Sequence, residues 1–186
     1  IVLISEFEQA QKEVREKESD TDIRLNLLID ATPDATMKII MDPIAGDYIS
    51  GKGTGNIRTE FYNKGDVKMF GNYRINQGVY KFSLQEVIRK DFIIKDGSTI
   101  TFNGPPLDAT LDIQAGYLVN SASLNDLVPD AGNYVNQTNI KVNCLMALTG
   151  QLTSPDIKMS LELPNERDEV QALVRNYIPT DEQMNM

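Results

Sequence analysis

The 186-residue chain contains no histidine and one cysteine, Cys144. Histidine is the commonest general base near neutral pH and the commonest transition-metal ligand. Its absence closes off a Ser-His-Asp or Cys-His nucleophile. Cys144 has no second cysteine for an internal disulfide and no Cys or His companions for a zinc site. Carboxylates remain, with 27 Asp and Glu residues. A two-carboxylate hydrolase needs such groups to converge on one cleft, usually beside aromatic platforms for a sugar. The chain has no Trp, and Asp22, Asp30 and Asp112 fall on the polar phase of alternating segments. Gly51-Lys52-Gly53-Thr54-Gly55 has the residue types of a phosphate-cradling loop. That loop, however, requires GxxxxGK[ST] between a strand and a helix. Here the lysine precedes the second glycine and a strand pattern follows, so the segment reads as a flexible turn. No EF-hand-like calcium loop is present. Asn136-Gln137-Thr138 is a short glycosylation match to which no function is assigned. The expectation is a protein with no catalytic centre, no metal and no cofactor.

Charge narrows the partners. Lys and Arg number 18, giving a net charge of −9 and a sequence pI near 4.5. The basic residues are scattered, whereas phosphate-backbone binding needs them clustered. Nucleic acid is therefore excluded as the expected partner, and simple electrostatic docking on anionic lipid is disfavoured. The charged fraction of 24% is ordinary for a folded domain. No run approaches the ~20 apolar residues of a membrane-spanning helix. The chain opens on Ile1-Val2-Leu3-Ile4 without a signal-peptide pattern. It reads as a fragment of a longer protein, with any targeting or anchoring segment outside it.

The elements that would position a site are mostly strands. Residues 1–20 are dense in charge, carry only the weak helical stripe Phe7, Ala10, Val14, and read as a charged linker or lineage-specific segment. From residue 21 to 186 one β-domain is expected. Ile23, Leu25, Leu27 and Ile29 alternate with polar residues, as do Met37, Ile39, Met41 beyond a turn at Thr32-Pro33-Asp34. Ile57 to Phe61, Val67 to Ile75 and Tyr80 to Leu84 follow, separated by turns at Asn63-Lys64-Gly65-Asp66 and Asn76-Gln77-Gly78. Further turns are expected at Lys95-Asp96-Gly97 and Asn103-Gly104-Pro105-Pro106. About ten strands with one apolar face each result. Leu84–Lys90 reads as an irregular crossing. Ser121–Asn139 reads as a polar loop anchored by Leu124 and Leu127. Asn165–Tyr177 reads as a helix with Asn165 near its N-cap and an apolar stripe of Val170, Leu173, Val174 and Tyr177. That stripe either caps one end of the sheet or docks a partner.

The apolar stripe is the distinctive feature. It mixes Ile, Leu, Phe and Tyr with flexible Met at 37, 41, 69, 146 and 159. It is either the closed core of a sandwich or barrel, or the wall of an open trough that holds acyl chains or apolar peptide. A lipid tail exposes roughly 15 methylenes at about 0.8 kcal/mol each, on the order of 12 kcal/mol per chain. An apolar trough removes most of that cost without specific polar chemistry.

Gly71-Asn72-Tyr73, Gly78-Val79-Tyr80-Lys81-Phe82, Lys90-Asp91-Phe92, Asp96-Gly97-Ser98-Thr99-Ile100-Thr101-Phe102-Asn103-Gly104-Pro105-Pro106 and Leu111-Asp112-Ile113-Gln114-Ala115 occur in a characteristic order. Leu148-Thr149-Gly150, Ser154-Pro155-Asp156-Ile157, Leu163-Pro164 and Ile178-Pro179-Thr180-Asp181-Glu182-Gln183 follow. This ordered set resembles the C-terminal domain of the TamB family, the translocation and assembly module subunit of the AsmA-like superfamily, over roughly residues 37–186.

The resemblance implies a periplasmic domain of an inner-membrane-anchored protein in a diderm bacterium. It implies a mainly β fold: an elongated, curved antiparallel or mixed sheet (a β-taco or open trough) with an apolar inner face and a short C-terminal helix. It implies a non-enzymatic role in moving phospholipid to the outer membrane and in outer-membrane biogenesis. The implied partners are phospholipid or other acyl-chain cargo and an outer-membrane barrel assembly protein of the TamA type. The residues carried over as groove lining are those of the inward strand phase: Met69, Tyr73, Tyr80, Phe82, Phe92, Ile100, Phe102, Leu111, Ile113, Tyr117, Val142, Cys144, Met146, Leu148, Ile157, Met159 and Leu161. An exposed groove would also leave the isolated fragment open to homodimerisation. Two rival readings stand beside this one. One is an interaction module that docks on the barrel partner without binding lipid. The other is a closed β-sandwich for binding or adhesion.

Overall fold

The period-two segments form nine strands: β1 (Arg24–Ala31), β2 (Thr36–Asp42), β3 (Asp47–Tyr62), β4 (Lys68–Leu84), β5 (Ile88–Ile94), β6 (Ser98–Gly104), β7 (Thr110–Ser123), β8 (Asn139–Gln151) and β9 (Ser154–Glu162). The computed structural model describes residues 21–42, 44–84, 88–129, 131, 139–164 and 166–177. Among these, a single 3-10 turn (Pro106–Asp108), the one-turn helix α1 (Leu124–Leu127) and the C-terminal helix α2 (Asp168–Tyr177) complete the elements. The strands form one antiparallel sheet that does not close into a barrel. Its path runs β1-β3-β4-β5-β7-β8-β9, with β2 also on β3, and β6 bridging β4 and β7.

Two strands are long because predicted turns do not reverse the chain. Asn76-Gln77-Gly78 lies inside β4. There Lys52 pairs with Gln77 but Gly53 pairs with Ile75, so Asn76 is an extra residue, a β-bulge. Nor is Gly51-Lys52-Gly53-Thr54-Gly55 a turn: all five residues lie within β3. The reason is close backbone approach. A Cβ on Gly53 would strike the Arg74 carbonyl, and one on Gly55 the Asn72 carbonyl.

These irregularities fall on one line. β1 and β2 both run antiparallel to β3 and are separated by 32–35, opposite the register shift between Lys52 and Gly53. β5 and β6 both run antiparallel to β4 and are separated by 95–97, opposite the bulge. Thr32-Pro33-Asp34 and Lys95-Asp96-Gly97 thus interrupt strands that continue in the same direction. A crease crosses the sheet here. The Tyr73 hydroxyl lies 3.2 Å from both the Ala35 and Gly51 carbonyls. At the other end of the line, Ser98 Oγ donates to the Lys95 carbonyl at 2.8 Å and accepts from the Gln114 N–H at 3.1 Å.

Four expected turns hold: Ala35 N–H donates to the Thr32 carbonyl and Ser98 N–H to the Lys95 carbonyl, closing the turns at 32–34 and 95–97. Gly65 N–H donates to the Tyr62 carbonyl between β3 and β4, and 103–106 leads from β6 into the 3-10 turn. Leu84 pairs with Ile88, so β4 and β5 are antiparallel neighbours where an irregular crossing was expected, and 85–87 lie outside the described residues. The polar Ser121–Asn139 stretch continues β7 to Ser123 and then turns through α1. The predicted helix begins at Asp168, three residues late. Its first-turn acids are Asp168 and Glu169, which suit the positive end of the helix. The predicted cap Asn165, the linker 1–20 and the sequon Asn136-Gln137-Thr138 lie outside the described residues.

The chain divides into two compact units: 1–115 with 148–156, and 116–147 with 157–186. In the first, the inward side chains of β2 to β7 are buried, with Ile49, Ile57, Tyr73, Ile75, Ile100 and Ile113 all at about 1% exposure. In the second, Leu124, Val128, Ala131, Ile140, Val142, Leu163, Val170 and Val174 make a separate core. Helix α2 covers it with the face formed by Val170 and Val174.

Candidate functional site

In the first unit the register places the predicted lining of β4 to β7 on one face. Ile57 pairs with Gly71 and Gly71 with Phe102, while Tyr73 pairs with Ile100 and Ile100 with Leu111. Side chains at paired positions point to the same side of a sheet. In the first unit Met69, Tyr73, Tyr80, Phe92, Ile100, Phe102, Leu111, Ile113 and Leu148 are buried there, and Phe82 is half-buried. In the second unit Val142 and Met146 are buried, and Tyr117, Cys144, Ile157, Met159 and Leu161 are half-buried.

β1 extends this face beyond the closed rows. Leu25 pairs with Phe61, Leu27 with the buried Thr59, and Ile29 with the buried Ile57. Yet Ile23, Leu25 and Leu27 are 40%, 46% and 38% exposed. They alternate by two; Leu25 and Leu27 lie on β1, at the end of the sheet path among the described residues, and Ile23 just before it. Asn63 fixes the start of this strand. Its side-chain oxygen accepts the Ile23 N–H at 2.9 Å and its side-chain nitrogen donates to the Thr21 carbonyl at 2.8 Å. Sequence reasoning found the alternation of 23–29 but left these residues out of the site.

Sequence reasoning also missed Asp47, because it read no strand between Met41 and Ile57. Asp47 opens β3 in the inward phase, two residues before Ile49, and is buried. Burial raises its carboxyl above the usual range, and the nearby Asp42 charge adds to that, while the Ser83 N–H donates to it and opposes the rise. Burial also pushes the Tyr80 hydroxyl up to about 12, with a smaller contribution from the Asp47 charge.

The opposite face is polar and capped. Lys38 Nζ sits 4.0 Å from the Tyr48 ring centroid, with Lys81 on the same ring at 5.6 Å, and Arg58 covers Phe70 at 4.7 Å. Lys64 and Asp22 pair at 2.7 Å, which holds the Asp22 carboxyl below its usual range. Among the described residues, no three Asp, Glu, Cys or His side chains gather as metal ligands.

Of the stripe predicted on α2, Val170 and Val174 are turned into the core and Leu173 packs against it, while Tyr177 is exposed. Beside the helix lies a cleft of about 390 Å³ lined by Leu145, Leu161, Glu162, Leu163, Pro164, Gln171 and Val174.

The fold is thus one open antiparallel sheet whose inward strand phase is apolar. The TamB C-terminal domain family matches residues 2–182, and the chain belongs to that family. Membership ties it to the translocation and assembly module of the bacterial outer membrane, in which the TamB family works with TamA. No curated protein matches the chain. No helix among the described residues is long and apolar enough to cross a membrane.

Proposed function

We propose that the apolar face shelters lipid acyl chains, as part of phospholipid delivery to the outer membrane, and that β1 is where a chain first meets it. The carrying observation is the exposed row Ile23, Leu25, Leu27, continuous in register with the buried rows of β3 and β4. An acyl chain laid on this row gains about 0.8 kcal/mol per methylene removed from water. The buried rows of the first unit would have to part to take a chain deeper, and the crease is the line about which they would do so. The domain would act in the periplasm, with a barrel of the TamA type as its partner.

Native mass spectrometry of the purified chain incubated with phospholipid tests this reading. Leu25→Glu with Leu27→Glu should abolish the lipid-bound species while circular dichroism stays unchanged, since both sites are exposed. Undiminished lipid binding by the double variant would refute the assignment. Charges at Phe102 or Ile113 would be a poorer test, because those side chains are buried and the fold itself would fail.

A second reading, docking on the barrel partner without lipid, is favoured by the same strand. Among the described residues β1 ends the sheet path, which offers one edge of its backbone for strand addition. Leu25→Glu would leave such backbone pairing largely intact, so a pull-down with the partner's periplasmic domains separates the two readings.

A further inference from the structure

Asp47 is an unusual group for an apolar face. It is 8% exposed, and its Oδ1 has no hydrogen-bond partner among the described residues. The Ser83 N–H donates to the carboxyl group, but the charge that acts on it is a second carboxylate, Asp42, its register partner on β2. Among the described residues no ion pair reaches this anion, and a buried charge without one is costly.

Aromatic rings gather around it in the same strand phase. Asp47 precedes Ile49, which pairs with Tyr80, and Tyr80 pairs with Phe92. The Tyr80 and Phe82 ring centroids are 5.8 Å apart, and Phe82 meets Phe92 edge-on at 6.2 Å. Tyr80 and Phe92 are buried and Phe82 is half-buried, while Asp47 Oδ1 is itself closed to solvent, so a ligand reaches it only when the Phe82 side opens. Ring faces attract cations, and a carboxylate beside them adds a full opposite charge. An orphan acceptor oxygen further asks for a ligand that carries N–H donors.

We propose that Asp47 with Tyr80, Phe82 and Phe92 forms a subsite for the primary ammonium of an ethanolamine-type lipid headgroup. The ammonium donates to Asp47 Oδ1, its charge rests against the rings, and the acyl chains lie along the apolar face. This assignment rests on the acyl-chain reading above. It adds a headgroup preference that an apolar wall alone cannot supply.

The test is a titration of the full chain with short-acyl phospholipids, read by native mass spectrometry and calorimetry. Phosphatidylethanolamine should bind about tenfold tighter than phosphatidylglycerol, and phosphatidylcholine should fall between, since its quaternary nitrogen offers charge but no N–H. Asp47→Asn should bring the ethanolamine-to-glycerol ratio close to one, and Phe82→Ala should lower it. Equal affinities in the wild-type chain, or an unchanged ratio in Asp47→Asn, would overturn the subsite while leaving the acyl-chain reading in place. No binding of any phospholipid would overturn both. Free ethanolamine binding as tightly as the lipid would show a small-amine site and overturn the headgroup assignment.

Discussion

The Tyr73 hydroxyl reaches the Gly51 carbonyl at 3.2 Å across the crease, from a side chain that is itself buried. The same hydroxyl is 3.2 Å from the Ala35 carbonyl. One proton is thus shared between the β1–β2 break and the stretch of β3 beside its register shift, and Tyr73→Phe removes it without removing the ring. Two buried or half-buried carbonyls lose a donor, which costs about 1–2 kcal/mol. Denaturant unfolding should show that loss, with hydrogen exchange accelerating at 32–35 and 50–54 before the rest of the sheet.

Two glycines should respond to alanine for different reasons. Gly53→Ala drives a methyl group into the Arg74 carbonyl at the crease. That forces β3 and β4 apart, and the predicted cost exceeds about 3 kcal/mol. Gly46 has φ +82 with nothing within 4 Å of an added Cβ, so Gly46→Ala should cost only the left-handed conformation, about 1 kcal/mol. Paired thermal melts check the order, and comparable losses would show that the crease tolerates expansion.

Asp47→Asn should stabilise the unliganded chain, by on the order of 1 kcal/mol, because it removes a charge from a poorly compensated buried position. The pH dependence has a definite sign. The Asp47 carboxyl is raised in the folded state, so the folded protein holds its proton more tightly than the unfolded chain does. The penalty is absent below the unfolded pKa, grows as pH rises through it, and is complete above the raised folded value. The gain from asparagine should therefore be larger at pH 7 than at pH 3. A gain independent of pH would assign it to packing instead.

Helix α2 should separate core from surface. Val174 is buried in the second unit's core, and Val174→Asp leaves an unpaired charge there, a loss of about 3 kcal/mol or more. Tyr177 is exposed, and Tyr177→Ala should leave unfolding unchanged to within about 0.5 kcal/mol. Limited proteolysis around 166–177 reads both.

The strand phase was legible in the sequence, because alternation by two survives any curvature of the sheet. Ile100, Phe102, Leu111 and Ile113 occupy the face their spacing predicts. Where the strands end was less legible. Asn76-Gln77-Gly78 has the composition of a tight turn, but a bulge uses the same residue types. Gly51 to Gly55 has the composition of a flexible loop, but close packing of two strands also demands glycine. Accessibility was not legible at all. Leu25 and Ile113 share one alternation pattern, yet among the described residues one lies on the strand that ends the sheet path and the other among covered rows. Only pairing order decides between them. Asp47 escaped notice because the glycines at 51, 53 and 55 hid the first half of β3, in whose inward phase it lies.

Photocrosslinking tests the central claim most directly. A benzophenone amino acid would replace Leu25 on the apolar face or Leu28 on the opposite face, and the full chain would be irradiated with labelled phospholipid. Leu28 is the more exposed of the two, at 77% against 46%, so exposure alone favours labelling at 28. The account predicts strong lipid labelling from 25 and little from 28. Equal labelling, or labelling chiefly from 28, would contradict it.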